Sequence, residues 1–130
     1  MDHLLQSGAS RFVVAGISMG GFAALAAPQR DPRVGAVLAF LADPHWEDHP
    51  QSPHLYLDAW EHTALFAVVA TGDEVVPPDR MRRFIHALTS RFRPGSRFAG
   101  LEYRGGHTMD PADGDDAWFK AIRWLDPYLL

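Results

Sequence analysis

Three residues in this sequence have the types needed to turn a hydroxyl into a nucleophile: Ser18, Asp73 and His107. A serine hydroxyl attacks poorly at neutral pH unless a neighbouring base takes its proton. An imidazole suits that task because it titrates near neutrality and can hand the proton on to a leaving group. A carboxylate on the far side of the ring would fix its tautomer and stabilise its charged form. Each residue also has a plainer reading. Asp73, after Gly72, could be a turn residue or a cap for the helix that begins at Pro77, and Glu74 and Asp79 are nearby carboxylates of the same type. His107 is one of 7 histidines, so its position alone decides nothing.

Chemistry of this kind needs the serine presented on a strained turn. Ser18 lies in Arg11-Phe12-Val13-Val14-Ala15-Gly16-Ile17-Ser18-Met19-Gly20-Gly21-Phe22, which reads as a short apolar strand, a tight turn and a small-residue helix over Phe22 to Ala27, stopped by Pro28. Gly16-Ile17-Ser18-Met19-Gly20 matches the G-x-S-x-G spacing of a nucleophile elbow. Side chains two positions either side of the serine would collide, so Gly16 and Gly20 are expected to relieve the crowding. The helix after the turn aims its N–H groups and positive dipole end at the site of a developing oxyanion, with Met19 N–H as the first donor. A bare match also describes an ordinary close-packed strand-to-helix turn.

The other elements must bring the acid and the base to that turn. Further apolar runs occur at 34–42 and 64–71, and 97–103 alternates more, as an edge strand with one wetter face does. Met81, Phe84, Ile85, Leu88 and Phe92 form one helical stripe, introduced by Pro77-Pro78-Asp79. Trp118, Ala121, Ile122 and Leu125 form another, with Asp110 and Asp113 as cap residues and Pro127 at its end. A helix tail with Leu4 and Leu5 as its apolar positions is expected before Ser10. Apolar strands alternating with helices imply an α/β parallel sheet with flanking helices. Asp73 and His107 then follow the third and fourth strands, at the carboxyl edge where such sheets place functional residues.

Between Asp43 and His62 lies a Pro-, His- and aromatic-rich stretch, read as a lid-like excursion (43–63) with Trp46, Tyr56 and Trp60 as substrate-lining candidates. Its histidines, His45, His49, His54 and His62, match no metal-ligand spacing, so no metal is expected.

Composition narrows the partners. The 130 residues suit one domain, 1–130, with 47% hydrophobic and 22% charged residues. A net charge of −4 without a basic block argues against nucleic acid and anionic membranes, and Arg80, Arg82 and Arg83 read as a solvated helix face. There is no cysteine, hence no disulfide or thiolate chemistry. No apolar run reaches the ~18 residues of a membrane span. The first residues lack a signal-peptide pattern, so a cytoplasmic location is expected.

Taken together, Gly16-Ile17-Ser18-Met19-Gly20-Gly21, Gly72-Asp73-Glu74-Val75-Val76-Pro77 and Gly105-Gly106-His107 make the chain resemble the carboxyl-terminal half of an α/β-hydrolase. The branch is that of the esterases, dienelactone hydrolases and prolyl-oligopeptidase-like enzymes. The resemblance implies a serine hydrolase of small esters or related acyl compounds, without cofactor, using Ser18, Asp73 and His107. Family members also carry strands before the elbow and an HGG-type loop that supplies a second oxyanion donor. Only a short stretch precedes Ser18 here, so the sheet is expected to lack those strands and to leave the strand around Val13 at an open, apolar edge. Such an edge invites homo-oligomers, and the alternative reading is an impaired hydrolase fragment that acts as a binding or association module.

Overall fold

The apolar runs all become strands of one parallel sheet. The computed structural model describes residues 11–128, and the helix tail expected around Leu4 and Leu5 lies outside them. The strands are β1 (Phe12–Ile17), β2 (Val34–Phe40), β3 (Ala64–Ala70) and β4 (Phe98–Tyr103), in spatial order β1-β2-β3-β4. Register pairs Ile17 with Phe40, Phe40 with Val68 and Ala70 with Tyr103, so the carboxyl ends form one rim. Three helices connect and follow them: α1 (Met19–Ala26), α2 (Pro78–Arg91) and α3 (Pro111–Leu125).

Two core layers hold the sheet. On one face Leu25, Val37, Leu65, Trp60, Phe84 and Leu88 pack α1, α2 and the excursion against the strands. On the other, Leu38, Phe66 and Val68 meet Ala117, Ala121 and Leu125 of α3. Every residue of β2 and β3 is buried, which is why those runs read as unbroken apolar sequence. β1 is an equally unbroken run but lies, among the described residues, at the edge, where burial alternates and Val13 and Ile17 are exposed. β4 forms the other edge with the alternation its sequence shows.

Several expectations need correction. The elbow helix begins at Met19 rather than Phe22, and Pro28 does not stop the chain turning, because it sits buried in a 3-10 turn over Ala27–Gln29. The buried stripe of α3 is Ala117, Ala121 and Leu125, while Trp118 and Ile122 are exposed; small alanines let the helix approach the sheet more closely than Trp118 would. Arg80 and Arg82 are not simply solvated: Arg80 pairs with Asp43, and Arg82 pairs with Asp79 and Glu102.

Candidate active site

At the end of β1 the backbone turns so sharply into α1 that Ser18 adopts φ 55°, ψ −117°. This conformation costs a non-glycine residue about 1–3 kcal/mol. It is held by Ser18 N–H donating to Phe40 O (2.8 Å) and Phe22 N–H donating to Ser18 O (3.0 Å). The first helical turn passes directly over Gly16. A Cβ there would lie 2.1 Å from Gly20 O and 2.3 Å from Gly20 C, so only glycine fits. Gly20 is different: a Cβ on it would meet nothing within 4 Å, contrary to the expected crowding. The second tight contact belongs to Gly21, whose Cβ would fall 2.5 Å from Ala42 Cβ; a second adjacent glycine was the signal for it in the sequence.

Asp73 and His107 reach the turn from two loops that are tied together. Thr71 N–H donates to Tyr103 O and Gly72 N–H to Gly105 O, each at 2.8 Å. A Cβ on Gly72 would come within 2.9 Å of Gly105 O, so the loops approach this closely because position 72 has no side chain. His107 Nε2 then lies 2.9 Å from Ser18 Oγ, and His107 Nδ1 lies 2.8 Å from Asp73 Oδ2.

Asp73 is both a turn residue and a ring partner. Its Oδ1 accepts from Val75 N–H (2.9 Å) and Val76 N–H (2.8 Å), while Oδ2 faces the imidazole. It does not cap α2, whose N-cap is Pro77. Burial pushes the Asp73 carboxyl up, but the Val76 and Val75 N–H groups and His107 outweigh it and hold the carboxyl below its ordinary value. An ionised carboxylate only accepts, so the ring's Nδ1–H donates to Asp73 and the free Nε2 accepts the Ser18 hydroxyl proton. The Asp73 side chain is 1% exposed and that of His107 25%, leaving the ring open to an incoming molecule. Met19, the residue after Ser18, opens α1, so its N–H has no partner within the helix. Of the competing carboxylates, Asp79 is bound to Arg82; Asp110, expected as a cap residue, caps α3 by accepting from Ala112 N–H.

The excursion divides. Trp46 lines a 160 Å³ cavity that opens onto Ser18, together with Met19, Phe22, Asp43, Val75 and Val76. Tyr56 lines a different cavity and donates to Pro50 O. Trp60 is 1% exposed and packs edge-to-face on Phe84 in the core, so it lines no substrate site. Aromatic content alone could not separate these three. Asp43, which sequence reasoning passed over, is fixed by Arg80 Nη1 at 2.7 Å and by His45 N–H at 2.9 Å. His45 and His54 stack on each other at 3.7 Å. Among the described residues no group of three or more His, Asp or Glu is placed to hold a metal ion, and no helix is long and apolar enough to cross a membrane.

No protein-family model matches the sequence, and no curated protein matches it significantly. Solved structures do match. A Thermus thermophilus protein superposes with a TM-score of 0.75 at 25% identity, over 94% of this chain and 57% of its own. A Pyrococcus furiosus esterase gives 0.81 at 10% identity, over 99% and 60% respectively. The fold is that of the α/β-hydrolases. A Mycobacterium tuberculosis puromycin-hydrolysing peptidase with the same α/β-hydrolase fold gives 0.77 at 19% identity, over 95% of this chain and 24% of its own. The chain thus spans just over half the length of the Thermus protein and a quarter of the peptidase.

Proposed function

We propose that the chain is a serine hydrolase that cleaves carboxylic esters or related acyl bonds through an acyl-enzyme. The observation that carries this reading is the continuous hydrogen-bonded line from Ser18 Oγ through the His107 ring to Asp73 Oδ2. Ser18 Oγ bonds to the acyl carbon as its proton passes to His107 Nε2. The carbonyl oxygen takes up the negative charge against Met19 N–H and the positive end of α1. Collapse breaks the bond to the leaving oxygen, which takes the proton from His107. Water then repeats the sequence on the acyl-enzyme, releasing the acid and restoring Ser18. No cofactor is required. Thioesters, lactones and peptides could be opened by the same three groups, and the similar structures include both an esterase and a peptidase. If Met19 N–H works as the single oxyanion donor, turnover should be about 10²–10³-fold below that of a two-donor site.

The test is covalent labelling by a fluorophosphonate probe together with cleavage of short-chain p-nitrophenyl esters. The Ser18→Ala variant should lose labelling completely and lower kcat by about 10⁶-fold, to background. A folded wild-type chain that neither labels nor hydrolyses would refute the hydrolase reading.

One observation favours a second reading, in which the chain is an impaired hydrolase that acts by association. Among the described residues β1 pairs only with β2, and its other side leaves Val13 and Ile17 exposed. Beside it runs an almost wholly apolar 540 Å³ groove lined by Ala15, Ile17, Phe40, Met109 and Trp118. An unpaired apolar edge of this kind is a template for another strand. On this reading the Ser18→Ala chain self-associates as the parent does, and a strictly monomeric, active protein excludes it.

A further inference from the structure

The 160 Å³ cavity at Ser18 has a wall that it shares. Met19, Phe22 and Trp46 line it on one side and also line a 680 Å³ cleft that runs along α1 to Arg30 and Gln51. The two spaces are therefore separated by the Phe22–Trp46 pair, whose rings meet edge-to-face with centroids 4.7 Å apart. The Trp46 indole is further backed by the parallel His49 ring at 5.7 Å.

This wall is fixed in place. The Trp46 backbone N–H donates to Ser52 Oγ at 2.8 Å, and Ser52 is fully buried. Ser52 Oγ also donates to Pro44 O, and it lies 2.6 Å from His54 Nδ1. On the other side Arg80 Nη1 holds both Asp43 Oδ2 and His45 O. The segment from Asp43 to Trp46 is thus bound to α2 and to a buried hydroxyl, and the indole itself is held by packing between the Phe22 and His49 rings.

Resting on the hydrolase reading above, we propose that Trp46 sets the acyl-chain preference, favouring esters of short, compact acyl groups. An apolar cavity of about 150 Å³ holds a molecule the size of benzene, about six carbons. The 160 Å³ space, lined by Phe22, Trp46, Val75 and Val76 and by Asp43, whose carboxylate is held by Arg80, has that capacity. A butyryl chain fits within it. A decanoyl chain exceeds it, and its far end must lie out in solvent or pass through the wall into the larger cleft.

The experiment compares kcat/KM on p-nitrophenyl butyrate and decanoate for the wild-type chain, Trp46→Ala and Phe22→Ala, with fluorophosphonate labelling and circular dichroism on each. The two substitutions remove opposite halves of the wall, so a folding failure in one leaves the other informative. The wild type should prefer butyrate by about tenfold or more, and each variant should raise the decanoate-to-butyrate ratio by at least about tenfold, a discrimination within reach of a hydrophobic pocket. If the variants label at Ser18 and keep the wild-type ratio, or if the wild type takes decanoate as readily as butyrate, the size preference is overturned while the hydrolase reading stands. If the folded wild type neither labels nor cleaves, both fall together.

Discussion

The charge on a single carboxylate orders the groups around Ser18. Asp73 binds the two N–H groups of its own turn with one oxygen and the His107 ring with the other, and these contacts outweigh the cost of its burial. Its native pKa is lowered, so at acid pH the unfolded chain takes up this proton before the folded chain does. The resulting stability is complete above the unfolded value of about 3.9 and is lost as pH falls through the lower native value. Asp73→Asn keeps the shape but removes the charge. Its melting temperature should trail that of the wild type at neutral pH, by an amount equivalent to about 1–3 kcal/mol. The gap should hold steady from pH 7 to 5 and narrow below pH 4. A gap that stays constant down to pH 2 would show that the charge of Asp73 is not what stabilises this turn. On the hydrolase reading the same substitution should lower kcat by about 10⁴-fold, because the ring loses the partner that sets its tautomer.

At the scale of elements, the β1–α1 turn shows which half of a spaced pattern is sterically required. A methyl group at position 16 would strike backbone atoms of the first turn of α1, which cannot shift without moving the helix. At position 20 the same methyl group would point into open space from within a helix. Gly16→Ala is therefore expected to cost at least about 3 kcal/mol, the upper range for overpacking, or to prevent folding. Gly20→Ala should be neutral or gain up to about 1 kcal/mol, since alanine favours the helix. Urea unfolding of the two variants settles the point, and equal losses would contradict this geometry. The misplaced face of α3 is the complementary lesson. Residues 117, 118, 121 and 122 are all apolar, so two stripes about one residue apart fit the sequence, and only contact with Phe66 and Val68 selects the alanine one.

Among the described residues exposure is lopsided. β2 and β3 are covered on both faces, while β1 and the outer side of α3 present Val13, Ile17, Trp118, Phe119 and Ile122 to solvent. Exposed apolar surface next to an unpaired strand should drive association that rises with concentration. Light scattering across a dilution series is expected to show mass increasing with concentration. Val13→Lys, which puts a charge on the edge away from Ser18, should shift the protein toward monomer. A parent chain that stays monomeric over the series would rule out self-association through this edge.

By itself, the sequence determined the four strands and three α-helices seen among the described residues and the order in which Ser18, Asp73 and His107 follow three strands. Runs rich in Val, Leu and Ala between turn residues make strands whether or not their neighbours are known, and parallel strands necessarily end at a common rim. Tertiary structure alone decided which of two stripes α3 buries and which glycines are crowded. It also separated Trp46, at the wall beside Ser18, from Trp60, locked in the core. The reason is physical. Propensity and periodicity are properties of a local segment, whereas burial, clash and cavity shape depend on which surfaces, distant in the chain, come to face one another.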